Sequence, residues 1–368
     1  MKIFLAGDIC PTENTMSAIT AGDLDTAFGT VCGLVRGADR FIANLECALT
    51  TSDTPIRKEG PNLRATPECA VGFAKLGITD VGLSNNHVYD YGHAGFRDTL
   101  NALDAAGILY TGIGENEQAA RRPHYMDVCG RRLAVIAVCD HEYSYALRNR
   151  EGCWGFDPFE TMEDIAIAKA QSDYVIVMYH GGKEHCRYPT PRQRRACQAM
   201  VRAGADLVLC QHTHCIGVPE HYRGGLIVYG QGNFNFVKNL QNPMWRDGLL
   251  LELDWRGAKP DYIFHPVVVN EHGITLAEGE DKERLLREFY ERQNTLLNDD
   301  AWLEQWDAYC RSVEPGYRRS IENAFSDEVD EKAHQLFRVY LDSECHTDIY
   351  RWLYPTWNGD NTIEKREQ

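Results

Sequence analysis

Eight residues of this chain combine ligand chemistry with a common position: Asp8, Asn44, Glu46, Asn86, His87, His180, His212 and His214 each stand where an apolar run ends. Carboxylate, amide and imidazole are the donors that hold divalent transition metals. A lone Asp after a strand is ordinarily a helix cap, and a lone buried His is ordinarily hydrogen-bonded core. The set therefore carries more weight than any member. Five separate segments deliver such groups, and one of them, His212-x-His214, supplies two imidazoles that a turn can send to neighbouring positions. Asp90, three residues after His87, reads equally as a partner for that imidazole and as a turn cap before Tyr91-Gly92. Cys10, two residues after Asp8, reads as a thiolate ligand or, more simply, as packing.

The elements that must position these groups are visible as apolar runs of strand length: "KIFLA", "RFIANLE", "ITDVGLS", "RLAVIAVCD", "YVIVMYH", "DLVLCQH", "LIVYGQGN" and "LLLELDW". Most are near-continuous rather than alternating, which marks strands covered on both faces. Helical patterns separate several of them. "GHAGFRDTLNALDAAG" carries Leu100, Leu103 and Ala106 on one side with Gly107 as its C-cap, and "PTPRQRRACQAMVRAGAD" starts at Pro191. An α/β sandwich follows, with sheets flanked by helices. In such folds ligand crevices form outside the carboxyl ends of the strands, where the candidate residues lie.

Composition narrows the function classes. Lys plus Arg number 38 against 54 Asp plus Glu, a net charge of −16, which argues against nucleic acid as a partner. No apolar stretch reaches the roughly 20 residues of a spanning helix, so no membrane span is expected and the chain reads as cytoplasmic. Thirteen scattered cysteines without a Cys-x-x-Cys pair read as reduced thiols.

Five blocks carry a resemblance: "DRFIANLECALT", "GPNLRATPECAVGFAKLGITDVGLSNNHVYDYGHAGFRDTLNALDAAGILYTGIG", "YHGGKEH", "GADLVLCQHTHCIGVPE" and "LIVYGQGNFNF". In order and spacing they resemble the CapA family, named for capsule and poly-γ-glutamate biosynthesis, whose fold is that of the calcineurin-like metallophosphoesterases. The resemblance covers roughly residues 1–270. It implies two divalent ions, with Mn, Fe and Zn all compatible. One would be held by Asp8 and His214, the other by Asn86, His180 and His212, with Glu46 as the bridge. His87 would be the non-ligand imidazole that assists the leaving group, with Asp90 as its partner. Glu184, His185, Asn233 and Arg64 would contact substrate at the pocket wall. The superfamily's Asp-x-His stands here as Asp8-x-Cys10, and its bridging Asp as Glu46.

Residues 1–275 are thus expected to form the metallophosphoesterase-like domain. Residues 276–368, charged and dense in Trp and Tyr, are expected to form a helical extension packed on it, its aromatic stripe also a candidate homodimer surface. Two functions fit: a binuclear metal-dependent hydrolase of phosphoester or related bonds acting on a small-molecule or polymer substrate, and a non-catalytic metal-binding or polymer-binding subunit of capsule or poly-γ-glutamate assembly.

Overall fold

The computed structural model describes residues 1–326 and 331–355; the remainder of the expected C-terminal extension lies outside the described residues. All eight apolar runs are strands, and they divide between two main sheets. In the first sheet the order is Ile274–Leu276, Asp261–Val269, Asp247–Asp254, Lys2–Ile9, Arg40–Leu45, Asp80–Gly82, Leu109–Thr111. The strands Lys2–Ile9 through Leu109–Thr111 run parallel, and Asp247–Asp254 pairs antiparallel with Lys2–Leu5. The short strand Asn233–Asn235 takes over that edge beside Asp8 and Ile9. The second sheet has the order Pro219–Tyr222, Gly225–Val228, Leu207–Gln211, Tyr174–His180, Arg131–Cys139, His124–Val128, with its four inner strands parallel.

Period-two alternation explains why the strands read as continuous apolar runs. Ile3 and Leu5 share one apolar cluster with Val135, Ile176, Met178 and Leu209, so the two sheets pack face to face. Phe4 and Ala6 point the other way, into a cluster with Phe28, Phe73 and Phe96 of the helices outside the first sheet. Val177 and Tyr179 likewise face Ile165 and Met200 of helices Pro158–Gln171 and Pro191–Ala203 outside the second. The result is a four-layer α/β/β/α sandwich. Helix Gly92–Ala106 ends at Gly107, whose φ of 70° is the left-handed cap its sequence called for. Pro191 opens its helix after Thr190, whose hydroxyl accepts the Gln193 N–H at 3.0 Å.

Among the described residues four helices follow the sheets: Gly279–Leu297, Asp299–Ala324, Glu331–Asp342 and Glu344–Leu353. Leu285 and Phe289 enter the inter-sheet cluster, and Leu296 and Trp302 enter the cluster outside the second sheet. Trp306, Cys310, Tyr317 and Ile349 form a further core of their own with Cys186. All thirteen cysteines are free thiols and eleven are buried. Among the described residues no helix is long and apolar enough to cross a membrane.

Candidate functional site

The parallel strands of both sheets end on one edge of the sandwich, and the candidate residues meet there. Asp8, near the end of the central strand, lies opposite Asn44 on one side and Asn233 on the other. The close approach of the Asn233 segment depends on Gly7, since a Cβ there would fall 2.1 Å from the Gly232 carbonyl oxygen. Asp8 Oδ1 accepts from Asn44 Nδ2 at 2.7 Å and Oδ2 accepts the His212 N–H at 3.1 Å. Glu46 follows the neighbouring strand and is fully buried, yet neither of its carboxylate oxygens has a hydrogen-bond partner.

Around Glu46 two donor groups close: Glu46, His180 and His212 in one, Asp8, Glu46 and His214 in the other, with the ligand atoms of each within 4.8 Å of one another. Glu46 Oε1 lies 3.3 Å from His180 Nε2 and 3.9 Å from His214 Nε2. His212 and His214 reach different groups because both residues adopt left-handed backbone, with φ of 83° and 51°. Such conformations in side chains bearing Cβ are costly and persist where surroundings enforce them. The His214 ring is fixed by Asn233, whose Oδ1 lies 2.9 Å from Nδ1, and by stacking on Trp245 at 4.3 Å. That leaves Nε2 turned to Glu46. An outer partner that sets ring orientation in this way is typical of metal-ligating histidines.

Burial and the Glu46 charge push the Asp8 carboxyl up to about 6, and burial raises Glu46 as well. Burial lowers His180 to about 4 and, with the neighbouring His180, holds His212 well below its ordinary value. For His214 the opposing effect of burial is overcome by Glu46 and Asp8, which raise it. Two buried carboxylates, three imidazoles and two orphaned carboxylate oxygens are a donor set compatible with divalent metal ions, whose charge would offset the repulsion and desolvation.

Asn86 and His87 arrive on the "NNH" turn. Asn86 Oδ1 lies 3.0 Å from His180 Nε2, against the cluster. His87 Nδ1 sits 2.7 Å from Asp90 Oδ2, which also accepts the Leu63 N–H at 2.6 Å, so Asp90 serves both the imidazole and the turn. Burial and the Lys58 ammonium hold His87 below its ordinary value.

The remaining candidates are placed as follows. Glu184 and His185 are half-buried beside the cluster, with His185 Nε2 3.9 Å from Glu184 Oε2 and the His185 ring 6.1 Å from Trp245. Arg64 is exposed, bonded to the Ser52 carbonyl oxygen and 5.1 Å over the Tyr91 ring. Cys10 is 2% exposed in the apolar cluster outside the first sheet, which it shares with Cys47. Two residues escaped the sequence reading. Lys58, from a loop, buries its ammonium 2.5 Å from Asp90 Oδ1 and 3.1 Å from His87 Nδ1. Glu142 accepts from Asn86 Nδ2 at 2.7 Å and lies 3.8 Å from His212 Nε2. Lys58 carries no sequence signal. Glu142 does: it follows the strand Arg131–Cys139 at the same edge as every other member.

Sheets, helices and a strand-end cluster together define a four-layer α/β/β/α sandwich with a buried oxygen and nitrogen donor site. The chain belongs to the family described as bacterial capsule synthesis protein PGA_cap, whose model matches residues 2–238. It is 31% identical over 245 residues to the capsule biosynthesis protein CapA of Bacillus anthracis, covering 64% of this chain and 60% of that one. It is 30% identical over 234 residues to the PGA biosynthesis protein CapA of Bacillus subtilis (strain 168), covering 62% of each. The chain thus spans about three fifths of the length of these relatives. Among solved structures it is similar to a 5'-nucleotidase precursor from Thermus thermophilus, with 13% identity and a TM-score of 0.41 over 86% of this chain and 59% of that one.

Proposed function

We propose that this protein is a metal-dependent hydrolase of phosphoester or related bonds, acting in capsule, poly-γ-glutamate or other cell-envelope polymer metabolism. The observation that carries the reading is Glu46, buried without hydrogen-bond partners at the junction of two donor groups. Asp8, Glu46 and His214 would hold one ion, and Glu46, Asn86, His180 and His212 a second, with Mn, Fe and Zn all suited to mixed nitrogen and oxygen donors. When bound, such ions supply Lewis-acid polarisation and charge neutralisation for the transferring group. The names of the CapA relatives support the polymer context.

The chain's own residues do the rest. Asp90 takes the His87 Nδ1 proton into a 2.7 Å hydrogen bond, leaving Nε2 to hold or give the proton at a leaving-group oxygen. Lys58 and the Leu63 N–H fix Asp90 for that task. Asn44 bridges Asp8 and His180 and keeps the two halves of the cluster in register. Glu184 and His185, at the rim, are placed to meet substrate. In this reading residues 1–275 carry the chemistry and residues 276–368 extend them, which the insertion of Leu285, Phe289 and Trp302 into the sandwich cores supports.

The test is elemental analysis together with an activity screen. Purified protein should carry two transition-metal ions, with His180→Ala and His212→Ala each losing metal. With Mn, Fe or Zn supplied, turnover is expected of p-nitrophenyl phosphate, bis(p-nitrophenyl) phosphate or γ-glutamyl dipeptides. Absence of metal under every loading condition would refute the metal site. Full loading without turnover in any class would leave the non-catalytic assembly subunit as the function.

A further inference from the structure

We propose that Glu142 is the residue that points the amide oxygen of Asn86 at the metal cluster, and that the two last described helices hold Glu142 in place for it. The inference rests on the metal reading above and adds to it Glu142, inside the family match, and a helical segment beyond that match, which ends at residue 238.

An asparagine side chain has two ends of similar shape and opposite chemistry. The amide oxygen can bind a cation; the amide nitrogen has two hydrogens and no lone pair to offer. Nothing in the asparagine itself decides which end faces the cluster. Here Glu142 decides it: its Oε2 accepts the Asn86 Nδ2 hydrogen at 2.7 Å. The nitrogen is thereby held away from the cluster, and Oδ1 comes to 3.0 Å from His180 Nε2. With the amide reversed, Oδ1 would face the Glu142 carboxylate and the nitrogen would face the ion, so both contacts would become repulsive.

Glu142 can act in this way only if its own loop is fixed, and the fixing groups come from the far end of the chain. The acceptors sit on either side of Ser343, at the junction of helices Glu331–Asp342 and Glu344–Leu353. Glu344 takes the His141 N–H at 2.7 Å and lies 2.8 Å from His141 Nδ1. Asp342 accepts from the Tyr145 hydroxyl at 3.0 Å. The loop is therefore clamped just before and just after Glu142. On its other side Tyr143 accepts the Glu59 N–H at 2.9 Å, which ties the same loop to the segment carrying Lys58. Glu142 also lines a cavity of about 440 Å³ whose opposite wall is one face of helix Glu331–Asp342, including Gln335, Arg338 and Asp342. The helix thus stands over the site edge with its polar face inward.

Metal affinity is the direct readout. The full chain, freed of metal by a chelator, is titrated calorimetrically with Mn²⁺ as wild type and as Glu142→Ala, Glu142→Gln, Glu344→Ala and His180→Ala, with circular dichroism confirming that each is folded. Loss of an outer partner of a ligand ordinarily weakens metal binding about 10–100-fold, and Glu142→Ala should do so at one of two sites. Glu142→Gln retains an acceptor for Asn86 Nδ2 and should restore affinity to within about threefold on the same scale. Glu344→Ala should weaken the same site to a smaller extent, and Glu142→Ala combined with Glu344→Ala should be no worse than Glu142→Ala alone. Wild-type affinity in Glu142→Ala overturns the proposal. Equal losses in Glu142→Gln and Glu142→Ala would also overturn it, by making Glu142 a direct ligand. If wild type takes up no Mn²⁺, like His180→Ala, the metal reading itself falls and carries this one with it.

Discussion

His87 and Cys10 each lie within two residues of a cluster member in the sequence, and their surroundings give them different roles. His87 faces Asp90 and Lys58 on one ring nitrogen, so removing it takes away a proton carrier without touching a metal donor. His87→Ala should keep its full metal content by elemental analysis and lose roughly 10²–10⁴-fold in kcat, the span of general acid–base groups; unchanged kcat would assign the proton to another residue. Cys10 is buried in an apolar cluster with Cys47 and belongs to neither donor group. Cys10→Ala should leave both Mn²⁺ affinities as they are, measured by the same calorimetric titration, and a collapse of the weaker site would make the thiol a ligand. At this scale the sequence showed which residue types gather, because strand ends can be read from where apolar runs stop. It could not show Lys58, since a loop lysine looks the same whether it is solvated or folded back onto an aspartate.

Elements inherit their functional meaning from where they end. Strands such as Tyr174–His180 were legible because both faces are covered, which keeps the run apolar without interruption until the site residue. The clamp on Glu142 was not legible, because His141 and Glu344 are 203 residues apart and nothing local to either marks the pairing. The pair makes a prediction about pH. Glu344 raises the His141 pKa by hydrogen bond and charge, against burial, so this part of the stabilisation is complete below 6.5 and lost as pH rises through the elevated value. His141 in turn helps hold Glu344 down, in spite of burial, so its part is present above 4.5 and lost as pH falls through the depressed value. The stability difference between wild type and Glu344→Gln should therefore be largest between pH 4.5 and 6.5, on the order of 1 kcal/mol for a partly exposed charged hydrogen bond. Denaturant titrations across pH would check it, and a difference that grows on the alkaline side would show that the pair is not ionic.

For the whole molecule the question is whether the C-terminal helices fold with the sandwich or merely rest on it. Phe289 is fully buried in the cluster that lies between the two sheets, together with Leu5, Ile176 and Leu209. Trp302 donates from its indole nitrogen to the Pro189 carbonyl oxygen at 3.1 Å, just before the helix that covers the second sheet. Thr190 and Asp348 bond side chain to side chain, joining the last described helix to the cap of that same helix. A sandwich stripped of these helices would expose apolar surface that its own sheets cannot cover, so the two parts should melt as one cooperative unit. Phe289→Ala removes a large side chain from that shared cluster and should cost about 3–5 kcal/mol. Calorimetry should show its single transition moved to lower temperature as a whole. Two separated transitions, with only the first moved by Phe289→Ala, would show instead that the helices are an independently folding appendage.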